Sequence, residues 1–118
     1  MALSRVVLVA APGAALRRSI VFALEADGFT AEAHASLAAA LALPAATTSI
    51  CLIVDENALD GQSNRAATLK RLGIPVILLV DRIRKIPRVA GMKVLTKPLL
   101  GPSLLETVRA LAGDPATT

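Results

Sequence analysis

Apolar positions along the chain fall into short solid runs separated by amphipathic stretches. Arg5 to Ala10, Ile50 to Val54 and Ile74 to Val80 are almost continuously apolar, rich in β-branched residues and too short for helices, so they read as strands covered on both faces. After the first run, Pro12 and Gly13 force a turn. Leu16, Ile20, Ala23 and Leu24 then recur at helical spacing as a stripe facing the sheet, with Arg17, Arg18 and Glu25 pointing away and Gly28 as the stop.

Weaker patterns fill the rest. Thr30 to His34 alternates, interrupted by Glu32 and His34, and predicts a less buried second strand. Ser36 can cap a helix over Leu37 to Leu43 that Pro44 halts. Asn64 to Leu72 predicts a short helix stopped by Gly73, and Pro87 interrupts Asp81 to Gly91, so a helix there is shortened or irregular. Lys93 to Thr96 is a fifth strand closed by Lys97-Pro98. Gly101-Pro102 opens a last helix whose stripe is Leu104, Leu105, Val108, Leu111 and Ala112, with Gly113 as its stop and 114–118 as a fraying tail. Five strand-then-helix repeats predict one α/β domain over 1–118. The expected architecture is a doubly wound, five-stranded parallel sheet of flavodoxin-like order 2-1-3-4-5.

Composition sharpens this picture at a few points. At 118 residues and 54% hydrophobic, with two Phe and neither Trp nor Tyr, the core is aliphatic and there is little for base stacking, so direct nucleic-acid contact is not expected. A single cysteine, Cys51, excludes an internal disulfide, fits a reducing cytoplasm and sits where a packed thiol belongs. No apolar run reaches the roughly 18 residues needed to span a bilayer.

The net charge of +4 is unevenly placed. Arg82, Arg84, Lys85, Arg88 and Lys93 crowd one stretch, interleaved with Ile83, Ile86 and Val89, and this reads as a face for an acidic protein partner. Equally open is a solvated loop whose apolar residues turn inward.

For chemistry, Asp55 stands out. It follows the central apolar run, at the sheet edge where ligands collect in open parallel folds. His34 is the only histidine, placed at an exposed strand end without partners for metal or triad chemistry, and reads as structural. Neither GxGxxG nor GxxxxGK[ST] follows any strand, which leaves a small enzyme or nucleotide-binding domain without a motif.

An Asp closing the third strand, Lys97-Pro98 closing the fifth and Arg17-Arg18 early in the first helix together resemble the receiver domain of two-component response regulators, over essentially the whole chain. The resemblance implies that Asp55 is the phosphoacceptor position, that Lys97 is the phosphate-contacting position, and that Asn57 would offer a backbone carbonyl to magnesium beside Asp55. It also implies signalling through the region around the fourth helix, where the basic stretch lies.

The departures from the family pattern are specific. Ala11 and Pro12 stand where the family carries two metal-binding acids, Val80 where it has Ser or Thr, and Val94 where it has an aromatic residue. Neither Ala11 nor Pro12 can bind a cation through its side chain, and Asp55 alone makes a poor magnesium site. A direct ion pair between Asp55 and Lys97 is expected in its place.

The expectation is an atypical cytoplasmic receiver of a two-component or phosphorelay pathway, neither an enzyme nor a cofactor binder. It would act by contact with a histidine kinase, a phosphotransfer protein or an output protein, and homodimerisation is open. The alternative is a working receiver, phosphorylated on Asp55 by a histidine kinase with magnesium present.

Overall fold

The computed structural model describes residues 5–42, 49–59, 73–80, 92–96 and 101–112. Strands β1 (Val6–Ala10), β2 (Thr30–His34), β3 (Cys51–Asp55), β4 (Val76–Val80) and β5 (Met92–Thr96) form one parallel sheet in the order β2-β1-β3-β4-β5. Three helices are described: α1 (Ala14–Ala26), α2 (Leu37–Leu41) and α3 (Gly101–Ala112). The expected architecture is therefore the observed one. The expected helix over Asn64 to Leu72 and the irregular segment Asp81 to Gly91 lie outside the described residues, as do Gly113 and the tail.

Solid apolar runs became central strands because both faces of the sheet are covered. In β1, Val7 and Val9 enter one core with Ile53, Ile77, Leu79 and, from the helices, Ile20, Leu24, Leu104 and Val108. Leu8 and Ala10 enter the other, with Leu52, Val54, Leu78, Val80 and Ala40. Alternate side chains go to opposite layers, so an all-apolar strand is what a doubly covered sheet requires. Edge strand β2 keeps its weak alternation, with Thr30 and Glu32 exposed and Ala31 and Ala33 packed against the core of the α1 face.

Several boundaries shift for local reasons. β1 starts at Val6, one residue later than expected, and Arg5 just before it lays its guanidinium over the Phe29 ring at 4.4 Å and donates from Nε to the Gly28 carbonyl at 3.1 Å. β4 starts at Val76, not Ile74, since Pro75 has no N–H to donate and contributes only its carbonyl, which accepts from Leu52 N–H at 2.9 Å. β3 runs one residue further than Ile50 to Val54 at its carboxyl end, so Asp55 is its last residue. β5 begins one residue earlier, at Met92.

Ser36 caps α2 as expected, its hydroxyl accepting from Ala39 N–H at 3.1 Å. The helix ends at Leu41, two residues short of the expected Leu43, which lies outside the described residues. At the end of α1, Gly28 takes a φ of 90°, which a side chain would strain. Gly28 N–H reaches the Glu25 carbonyl and Phe29 N–H the Leu24 carbonyl, the paired bonds that close a helix before a strand. Among the described residues, no helix is long and apolar enough to cross a membrane.

Candidate functional site

The carboxyl edge of the sheet is where the chain's unusual residues meet. β1 and β3 are neighbours, paired up to Ala10 with Val54, so Ala11 and Asp55 stand side by side one step further on. Ala11 is fully buried in the α1-side core while Pro12 is exposed in the turn. Asp55, 4% exposed, is one of two buried polar residues among those described.

Local structure accommodates that carboxylate. Asn57 lies in a 3-10 turn (Glu56–Leu59), and its backbone N–H and its side-chain Nδ2 both donate to Asp55 Oδ1, at 3.0 and 3.3 Å. An aspartate bonding the N–H two residues on is the turn-forming habit of this residue type. It offsets part of the cost of burying a charge.

A further side chain joins the edge that sequence reasoning had pointed elsewhere. Arg17 does not project outward from α1. Half-buried, it turns back so that Nη1 donates to the Ala11 carbonyl at 2.8 Å and the Pro12 carbonyl at 3.3 Å. The physical reason is that helical side chains lean toward the N-terminus, and Arg17 sits in the first turn, directly over the end of β1. Its place around the helix agrees, since it stands seven residues before buried Leu24 on the flank of the sheet-facing stripe. Arg18 is exposed, as expected.

Other sequence candidates divide clearly. Val80 is 1% exposed at the end of β4, one step beyond the Asp55 to Leu79 pair, and has no hydroxyl to offer. Val94, in β5, is 43% exposed. Lys93 is a β5 residue. Lys97, Arg82, Arg84, Lys85 and Arg88 lie outside the described residues, and with them the expected Asp55 to Lys97 ion pair and most of the expected partner face.

His34 corrects the expectation of an exposed strand end. It is half-buried beside Ala10, and its buried Nε2 has no hydrogen-bond partner among the described residues. Cys51 is fully buried, and burial pushes its thiol pKa up to about 12, which makes it a packed apolar group as expected.

The family's magnesium asks for octahedral oxygen ligands that include carboxylates. Here the two positions ending β1 offer no side-chain oxygen, their carbonyls already accept from a guanidinium, and Asp55 Oδ1 accepts from Asn57. Among the described residues no group of three or more His, Cys, Asp or Glu could hold a metal ion. These residues do not fit magnesium.

No family model matches the sequence. A curated relative is similar at 33% identity over 108 residues, covering 91% of this chain and 92% of the relative: the transcriptional regulator protein FixT of Rhizobium meliloti strain 1021. Among solved structures, a response regulator receiver domain from Clostridium thermocellum superposes with a TM-score of 0.76 at 17% identity, covering 94% of this chain and 95% of that one. A CheY-like receiver domain from Methylobacillus flagellatus gives 0.75 at 19% identity, covering 93% and 99%.

Proposed function

This chain belongs to the response regulator receiver family, and we propose that it acts in two-component signalling as an atypical member, by protein contact without magnesium-dependent phosphorylation. The observation that carries this reading is the guanidinium of Arg17 on the carbonyls of Ala11 and Pro12. Phosphoryl transfer relies on a cation to neutralise charge on the transferred oxygens, and Ala11 and Pro12 stand where the family's metal-binding acids would help hold one. Val80 adds to this, since a buried valine cannot turn a hydroxyl toward a modified Asp55.

On this reading the domain is not an enzyme and needs no cofactor. Its partner is a histidine kinase, a phosphotransfer protein or an output protein, met in the cytoplasm through an acidic face that complements the basic stretch around Arg84 and Lys85. Charge complementarity of this kind acts mainly on association rate and its salt dependence.

The test is incubation with a small acyl phosphate and magnesium, followed by intact-mass measurement. No phosphoryl adduct is expected. A stoichiometric adduct that disappears in Asp55→Asn would overturn the proposal and establish a working receiver in its place.

A further inference from the structure

Among the described residues only two large apolar side chains are exposed, Val94 and Phe22, and Phe22 is 76% exposed on the outer face of α1. It is one of just two aromatic residues in the chain. The opposite face of α1 holds Ile20 and Leu24 in the core, so nothing in the packing of the described residues calls for an aromatic ring on the solvent side. An aromatic ring presented to water at the middle of a helix face is the kind of anchor that interfaces are built around.

The residues around Phe22 have a definite order. Arg18 precedes it by one helical turn and Glu25 follows it by one, both exposed and both on the same flank of the ring. On the other flank lie Ala15, Ser19 and Ala26, also exposed and all small, which lets a second backbone come close. A two-fold axis perpendicular to such a helix, passing beside Phe22, turns the stripe onto itself in antiparallel sense. Phe22 then meets its own copy, each Arg18 meets the Glu25 of the other copy, and each Ser19 meets the other Ala26. A parallel arrangement would lay the charged flank of each helix against the small-residue flank of the other, leaving Arg18 and Glu25 without opposite charges to meet. Only the antiparallel orientation pairs the opposite charges.

We propose that the outer face of α1 is a homodimer interface, in which two copies of this chain pair their first helices antiparallel about a two-fold axis at Phe22. Such an isologous contact closes on itself and leaves no complementary surface to propagate a filament. It is also small, one helix against another, so the dimer is reversible and depends on protein concentration. The carboxyl edge bearing Asp55 stays open in it, since that edge is formed by strand ends and not by the outer face of α1.

Sedimentation velocity on the full chain over a concentration series tests this. The wild type is expected to dimerise reversibly, and Phe22→Ser to raise the dissociation constant at least about tenfold, as loss of a central aromatic anchor does. Arg18→Glu and Glu25→Arg should each weaken the dimer to a similar degree, and the double charge swap Arg18→Glu with Glu25→Arg should restore it to within about threefold of wild type. All three side chains are exposed, so thermal melts serve to confirm that each variant is folded. A wild type that stays monomeric at about 1 mM, where a contact of even millimolar strength would show, overturns the proposal. So does a dimer whose strength none of these substitutions changes, or single charge variants that the double swap does not rescue.

Discussion

The two edges of the sheet treat charge in opposite ways. At the amino edge, Arg109 near the end of α3 grips Asp27 at the end of α1 with a two-armed contact, Nε donating to Oδ2 at 2.7 Å and Nη2 to Oδ1. Arg5, just before β1, covers Phe29 and holds the Gly28 carbonyl. These residues tie together chain segments far apart in sequence, and no chemistry is asked of them. At the carboxyl edge, the positions where the family places acids and a hydroxyl are Ala11, Pro12 and Val80, and a helix arginine closes over the strand end. One edge spends its charges on architecture. The other lacks the pair of acids that its family ordinarily carries there, while retaining Asp55 and, in the sequence, Lys97.

The sharpest way to break this contrast is to rebuild the missing acids. Ala11→Asp with Pro12→Asp supplies two carboxylates beside Asp55, yet Arg17 still occupies the carbonyls at the strand end and repels a divalent cation, so magnesium binding in that double variant is expected to be weak. Adding Arg17→Ala should tighten it by more than about tenfold, or ~1.4 kcal/mol. Calorimetric titration of both variants decides this. Equal affinities would mean that the guanidinium does not compete with the metal, and a wild type that already binds magnesium would refute the reading of the whole edge.

How far the sequence carried to each edge follows from the kind of signal it contains. Buried runs in β1, β3 and β4 and the stripes of α1 and α3 were legible, because two-faced burial and helical periodicity leave direct marks on residue order. Asp55 was legible as the end of a buried strand, and the roles of Ala11, Pro12 and Val80 only through resemblance to a family. Arg17 was missed because its charge was read as pointing to solvent, although it stands seven residues before buried Leu24, on the flank of the sheet-facing stripe. The Asp27 to Arg109 contact was invisible for another reason. Its partners are 82 residues apart, and no local pattern pairs one surface acid with one of thirteen basic residues. His34 was misplaced because an edge-strand residue's burial depends on what packs over it, which the strand's own alternation does not reveal.

At the amino edge the expected effect is smaller and of a different kind. Asp27→Ala removes both acceptors from Arg109 and should cost about 1 kcal/mol in urea unfolding, the low end for a charged hydrogen-bonded pair because both side chains remain partly exposed to screening water. Magnesium should not alter that loss. The effect also carries a pH signature. Hydrogen bonding to Arg109 holds the Asp27 carboxyl below the usual carboxylate range, with burial opposing it more weakly. A carboxyl whose folded-state pKa is depressed contributes its full stability above the unfolded-state value, and loses it as pH falls through the folded-state value. The stability curves of wild type and Asp27→Ala should therefore converge in acid and separate toward neutral pH. A gap independent of pH would mean that lost packing, not the ion pair, accounts for the difference.

The smallest effect is expected at the residue most central to the family. Asp55→Asn keeps an Oδ1 that can accept from Asn57 N–H, so the turn after β3 retains its bond in a weaker, uncharged form. Against that loss stands a gain, because a neutral amide is cheaper to bury at a nearly closed strand end than a carboxylate. The two changes oppose each other, and the net should stay within about 0.5 kcal/mol of wild type. Paired urea melts with and without magnesium measure it. A loss above about 1.5 kcal/mol would show that the Asp55 carboxylate is a structural partner on the scale of the Asp27 clamp, and the two edges would then differ in which residues they use but not in what their charges do.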